Sequence, residues 1–403
     1  MLTESEALQR ILDAVAPLSS RLVPLADALH GFAAQPLNAT VPLPGFDNSS
    51  MDGYALRASD SLSKEPLRVM GEQPAGANRS LKLEMCSAIR IFTGAPLPEN
   101  ADAVIMQEDV TLLNDGQQII CNEPVAHHEN VRITGCDLCA GQRIIDRGAR
   151  LTPALLSVLA SQGISVTAIF SSPRTAIVTT GDELVAPGAP LQSGQIYNSN
   201  AIMLHTLVKE LGISKMDISH LPDNLEWTVD GLRALIESHD FIILSGGVSV
   251  GDHDCIRPAL EALGIEQDFW RVKIKPGKPL LFTKAKRSEG GVCHILGLPG
   301  NPVSSFVTFQ LFVRPALLRA MGAEGTALHL PQSRATLSAP LINHGDRPHY
   351  LRGRCEAGRF TPQEAQQSHA LFALSQSNAL LRMEPETSLN ADAEVMVSLL
   401  SLA

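Results

Sequence analysis

The sequence predicts a multidomain α/β plus β protein: a central three-layer α/β domain with a mainly parallel sheet, a β-rich second domain and a small C-terminal β domain. Three observations predict it. The chain has 403 residues, more than one hydrophobic core usually serves. Apolar strands alternate with helical patterns from 171 to about 320. On either side of that stretch the texture changes to short alternating segments separated by Gly and Pro.

Taken in order, residues 4–15 place Ala7, Leu8, Ile11, Leu12 and Val15 at helical spacing, and Gly31 closes a second short stretch read as helical. Pro36, Pro42, Pro44 and Gly45 then lead into a polar loop, DNSSMDGY at 47–54. Short strands such as 88–92 and 103–106 follow up to about 145. Thr152, Pro153, Leu155, Leu156, Val158, Leu159 and Gly163 spell a capped helix, with proline at its first position and glycine past its end. The expected strands of the α/β domain are 176–179, 241–244, 280–283 and 292–296, and its expected helices lie at about 200–211, 225–238, 254–263 and 301–320. After Gly322 the helical pattern stops, and the rest reads as β. The expected division is 1–40 with 138–170 as one helical, linking domain in two segments, then 41–137, 171–325 and 326–403.

The net charge of −10 opposes non-specific attraction to nucleic acid or anionic membranes, so any anion site must be local. Glu4 and Glu6 stand where an export signal needs positive charge, and no apolar run approaches the roughly 20 residues of a membrane span. The expected compartment is the cytoplasm, with no membrane and no nucleic-acid partner. Seven cysteines, an odd number with one close pair, do not form a disulfide framework. Cys136 and Cys139 have the spacing of half a zinc site, but no second pair completes it, so they are read as ordinary thiols.

The strongest chemical signal is FIILSGGVSVGD at 241–252. An apolar strand runs into a loop where Gly246, Gly247 and Gly251 let backbone N–H groups approach an anion, while Ser245 and Ser249 add hydroxyls. It is neither a Walker loop nor a dinucleotide fingerprint. A second loop, TTGDEL at 179–184, ends another strand with two carboxylates, Asp182 and Glu183. Asp254 suits either a helix cap or a magnesium ligand, since magnesium takes one or two carboxylates plus substrate phosphate oxygens. The densest basic stretch is WRVKIKPGKP at 270–279. Lys275 and Lys278 flank a Pro-Gly turn, an arrangement that costs repulsion unless an anion sits between them. Finally GLPGNPVSS at 297–305 starts a helix, with Asn301 as cap, Pro302 first and Ser304 in the first turn. Residues 241–304 therefore read as an anion-handling site at the carboxyl ends of neighbouring strands.

Six motifs in order, PGFDNSSMDGY at 44–54, IFTGAP at 91–96, TGDEL at 180–184, SGGVSVG at 245–251, KPGKP at 275–279 and LPGNPVS at 298–304, closely resemble the molybdopterin molybdenumtransferase (MoeA and gephyrin E-domain) family. The resemblance implies an α/β domain of molybdopterin-binding type and a C-terminal β-barrel. It implies insertion of molybdate into adenylylated molybdopterin with release of AMP, assisted by Mg2+. Asp223 and Asp254 would then hold magnesium and water at the adenylate. Lys275, Lys278 and Ser304 would face molybdate, joined by Arg352 and Ser368. Asp52, Thr93 and Asp137 match second-domain positions, and Glu183, Ser245, Gly246, Gly247 and Ser249 match substrate-binding loops. The resemblance also implies a homodimer in which Asp52 and Thr93 act in trans, and a molybdopterin adenylyltransferase as substrate donor. The chain departs from the family at Cys136, where an acid is usual, and at Cys255, where an aromatic is common. The C-terminal domain matches least well. Two alternatives stay open: an adenylyltransferase-like enzyme, whose glycine loop typically reads GGTG rather than the GGVS of 246–249, and a non-catalytic scaffold of the same fold.

Overall fold

The computed structural model describes residues 1–76, 79–247 and 254–400. They form two compact units, one of Met1–Gln35, Arg147–Ser157 and Ile164–Ala403, the other of Pro36–Asp146 and Val158–Gly163.

The larger unit is built on a six-stranded sheet. Its elements are β1 (Thr175–Thr180), α1 (Ser199–Glu210), β2 (Met216–Leu221), α2 (Leu225–Ser238), β3 (Phe241–Ser245), α3 (Ile256–Ala262), β4 (Gln267–Arg271), β5 (Pro279–Lys286), β6 (Val292–Leu298), α4 (Pro302–Thr308) and α5 (Arg314–Ala320). The strand order is β2-β1-β3-β6-β5-β4. The first three pairings are parallel, and the last two are antiparallel. Every residue of β1 and β3 is buried, as expected of central strands covered on both faces. One face packs against the helix Glu4–Ala14 and α1, α4 and α5, through Ile177, Ile243, Leu204 and Leu317. The other packs against α2 and α3, through Val178, Leu244, Leu232 and Leu260. This is the three-layer arrangement expected.

Two strands are additional to the four expected. Met216–Leu221 is a half-exposed edge strand carrying Asp217, Ser219 and His220, so it lacks an apolar run. Gln267–Arg271 is the opposite edge, and its polar ends hide it within the basic stretch. The expected helix at 301–320 is interrupted: Phe309–Val313 forms a π turn between α4 and α5. Pro315 is the physical cause, because it offers no N–H and its ring crowds the carbonyl of Leu311. The stretch before Gly31 is a single 3₁₀ turn, Leu25–Asp27. Pro24 precedes it and ends the strand Ser20–Pro24, which pairs with Val166–Phe170.

The same unit ends in a closed barrel of β7 (Gln332–Leu337), β8 (His349–Glu356), β9 (Arg359–Pro362), β10 (Ala379–Met383) and β11 (Glu394–Leu399), in the order β7-β9-β8-β10-β11. Antiparallel pairing of β11 with β7 closes it over Leu337, Leu351, Phe360 and Val397. Closure removes the exposed edges a small sheet would present.

The smaller unit holds a mixed six-stranded sheet that includes Gly53–Leu56, Ser87–Ile91 and Ala103–Met106. A Cβ on Gly53 would meet the Ile105 carbonyl oxygen at 1.9 Å, so only glycine allows that strand pairing. Among the described residues no helix is long and apolar enough to cross a membrane.

Candidate active site

The carboxyl ends of β1, β3 and β6 open onto a cavity of about 810 Å³ lined by Thr180, Glu183, Asp223, Gly246, Asp254 and Ser304, among others. Gly246 and Gly247 adopt φ of +94° and +64°. A Cβ on Gly246 would lie 2.9 Å from the Thr180 carbonyl oxygen, and one on Gly247 would lie 2.7 Å from Ile256 Cγ1. Bare backbone is thus required where the loop leaves β3. Ser245 also lines the cavity, but its hydroxyl accepts a 2.9 Å bond from Asn200 Nδ2. Asn200 Nδ2 donates as well to the Gly300 carbonyl at 2.7 Å, so one amide ties the β3 loop to the β6 loop. Sequence reading missed Asn200, because its role depends on strands far apart in the chain. Ser249 and Gly251 lie outside the described residues.

The acidic groups of this cavity come from different loops. The Asp182 N–H donates to Asp223 Oδ2 at 3.4 Å, and the Asp223 N–H returns a 3.2 Å bond to Asp182 Oδ1. Asp254 Oδ1 accepts from the Ile256 N–H at 3.2 Å, one residue before the cap position of α3, which Cys255 holds without a side-chain capping bond. Burial, followed by the negative fields of Asp223, Asp254 and Asp182, pushes the Cys255 thiol up. Among the described residues no Lys or Arg forms an ion pair with Asp182 or Asp223. No set of three His, Cys, Asp or Glu among them is arranged to enclose a metal ion. Two carboxylates beside a backbone-lined cavity fit a magnesium ion that completes its shell with substrate oxygens and water.

A second cavity, of about 510 Å³, is lined by Lys275, Lys278, Ser304, Arg347, His349 and Ser368, among others. Pro279 and Ser304 line both cavities, so the two adjoin. The Pro-Gly turn fixes the lysines. Gly277 adopts φ +109°, and a Cβ there would lie 2.5 Å from Thr308 Cγ2. Lys275 is bound on both sides to the barrel: its N–H donates to Pro348 O at 2.9 Å, and the Tyr350 N–H donates to Lys275 O at 2.7 Å. Ser304 lies in the first turn of α4, where Asn301 holds the cap position without a side-chain capping bond. The Ser368 carbonyl accepts from the Val303 N–H at 3.1 Å.

Arg352, expected to face the oxyanion, lines neither cavity. It is only 1% exposed and donates to the carbonyls of Ala365 and Gln367, while its own backbone pairs with the Gln366 amide. It holds the loop that carries Ser368. The reason is its place on β8, which turns the side chain into the barrel-to-loop packing. Arg347 and His349 line the cavity but escaped sequence reading, because barrel closure places them there.

In the smaller unit, Asp52 Oδ1 accepts from both the N–H and the hydroxyl of Thr93, each at 2.8 Å. Those bonds hold the Asp52 carboxyl below its usual range, with Arg90 adding a smaller effect. The Arg90 guanidinium stacks over Tyr54 and Phe92 at 5.0 and 5.1 Å. Asp137 sits on a separate loop, where its N–H donates to Leu43 O at 3.0 Å, between the exposed thiols of Cys136 and Cys139.

An acidic, glycine-lined cavity thus adjoins one whose lining carries Lys275, Lys278 and Arg347. Residues 176–319 match the model described as a probable molybdopterin binding domain, which sets the class of the α/β layer. Residues 2–163 match the MoeA N-terminal region and 334–400 the MoeA C-terminal region. A molybdopterin molybdenumtransferase of Haemophilus influenzae is 37% identical over 96% of this chain and 95% of its own. One from a Nostoc species is 34% identical over 94% and 88%. The crystal structure of a molybdopterin biosynthesis MoeA protein from Pyrococcus horikoshii superposes with a TM-score of 0.82 at 27% identity, covering 99% of this chain and 100% of that one. The chain belongs to the MoeA family.

Proposed function

We propose that this protein is a molybdenum insertase, a transferase that places molybdenum from molybdate into adenylylated molybdopterin and releases AMP. The observation that carries the reading is the junction at Ser304 and Pro279 of an acidic, glycine-lined cavity with one that holds Lys275 and Lys278. The glycine loop at Gly246 and Gly247 receives the phosphate end. Asp223 and Asp254 hold Mg2+, which when bound supplies positive charge for the leaving phosphate. Lys275, Lys278 and the Ser304 hydroxyl receive molybdate, and Arg352 acts by holding the Ser368 loop against them. No nucleophilic side chain is needed, because the dithiolene of the substrate is itself the ligand that takes up molybdenum.

On this reading the protein works in the cytoplasm as a homodimer, supplied by a molybdopterin adenylyltransferase. Asp52, Thr93 and Asp137, in the smaller unit, are further residues of this reading, Asp52 acting in catalysis and Thr93 and Asp137 in substrate binding. The working division of the chain is 1–40 with 138–170, then 41–137, 171–325 and 326–403. Purified protein incubated with adenylylated molybdopterin, Mg2+ and molybdate is expected to release AMP and form cofactor. Asp254→Asn should slow AMP release at least about a hundredfold, the scale of losing an electrostatic group at a reacting phosphate. Wild-type protein that yields neither product would sink the reading.

A further inference from the structure

His349 stands out in the cationic cavity. It is 8% exposed, lines the cavity beside Lys275, Lys278 and Arg347, and makes no side-chain hydrogen bond among the described residues. Its ring nitrogens are not among the sealed, unpartnered atoms of the interior, so they retain access to the cavity. The ring therefore has no protein partner among the described residues and lies in the lining of the space where an anion is to be bound.

The surroundings fix its form. Lys275, Lys278 and Arg347 share the cavity, Arg352 is close enough to act on the ring, and Glu364 is the one carboxylate in the lining. Burial first, then Lys275, Arg352 and Arg347, lowers the imidazole to about 4. Near neutral pH it is therefore a neutral ring with one N–H to donate. The backbone supports the placement, since the chain is tied to Lys275 on both sides of His349 through Pro348 and Tyr350.

We infer that His349 is a specificity-determining contact of this site, donating an N–H hydrogen bond to the tetrahedral oxyanion held by Lys275 and Lys278. This role rests on the reading of the cavity as the oxyanion site. A directional donor adds what two flexible ammonium groups lack: it selects an oxygen at a defined position, rather than negative charge alone.

The test is titration of the full-length protein with molybdate alone, alongside steady-state AMP release. His349→Ala should weaken molybdate binding and raise its KM about tenfold or more, the scale of one hydrogen bond to a charged group, with kcat changed little. Either His349→Gln or His349→Asn, which keep an N–H donor near one ring nitrogen, should recover most of the loss. Unchanged molybdate affinity in His349→Ala, or equal losses in all three folded variants, would overturn the inference. Lys275→Ala separates the two claims. If it abolishes binding while His349→Ala does not, only the role of His349 fails; if wild-type protein does not bind molybdate, the oxyanion reading fails and takes His349 with it.

Discussion

Arg352 shows how one buried residue can support a cavity it does not line. Burial lowers its affinity for its proton, yet the guanidinium stays charged because it titrates so far above neutral pH, and the Ala365 and Gln367 carbonyls supply the compensating dipoles. Arg352→Ala would strip the Ala365 carbonyl of its donor and leave Gln367 O with only the Ala370 N–H, and is expected to cost about 2–4 kcal/mol, read as a lower unfolding midpoint in denaturant. Arg352→Lys should recover only part, since an ammonium cannot reproduce the planar fork. A second residue-scale prediction concerns acid. His294 is buried against Phe241, and burial, then Lys284, lowers it to about 4. An unfolded histidine titrates near 6.5, so between about 6.5 and 4 the unfolded chain binds more protons and stability falls as pH falls. Thermal melts of wild type and His294→Gln should converge as pH drops through that window. A constant difference would refute the assignment. The glycine loop, the Pro-Gly lysine turn and Ser304 were legible in sequence because their chemistry is local. Asn200, Arg347 and His349 were not, because each reaches its cavity only through strand order or barrel closure.

At the scale of elements, the N-terminal helix and the barrel meet through one charged cluster. The Tyr350 hydroxyl and the Arg382 guanidinium both donate to the Glu4 carboxylate, at the first turn of the helix Glu4–Ala14. Tyr350 is also the residue whose N–H binds Lys275 O, so the cluster anchors the strand that carries the lysine turn. Tyr350→Phe keeps the ring and removes one bond to a carboxylate, and it should cost about 1–3 kcal/mol. Its KM for molybdate should rise less than that of His349→Ala, because the β8 backbone bonds to Lys275 survive. An equal rise would mean that the cavity responds to any loosening of β8. Element boundaries were legible where a proline marks them, as with Pro153 at the start of the helix Pro153–Ser161 and Pro302 in α4. They were obscured at sheet edges, where β2 and β4 bury too little apolar surface to leave a pattern, and at Pro315, which bends a helix that continues after it.

At the scale of the whole molecule, the two groups of proposed site residues fall in different compact units. Asp223, Asp254, Lys275 and Lys278 belong to the larger unit, and Asp52 and Thr93 to the smaller. Both bonds from Thr93 lower the Asp52 carboxyl and orient it. If the active form is a homodimer in which the smaller unit of one subunit serves the larger unit of the other, the two groups can be inactivated separately. Asp52→Ala and Asp254→Ala subunits, each inactive alone, should then regain activity when mixed and allowed to exchange. Random pairing places half of the chains in mixed dimers, and each mixed dimer retains one site with both acids intact, so recovery should approach a quarter of wild-type AMP release. Sites completed within one chain would give a different result: every mixed dimer would carry one defect in each of its sites, and activity would stay at the level of the parent variants. Thr93→Ala should behave as a weaker Asp52 variant in the same assay, complemented by Asp254→Ala but not by Asp52→Ala.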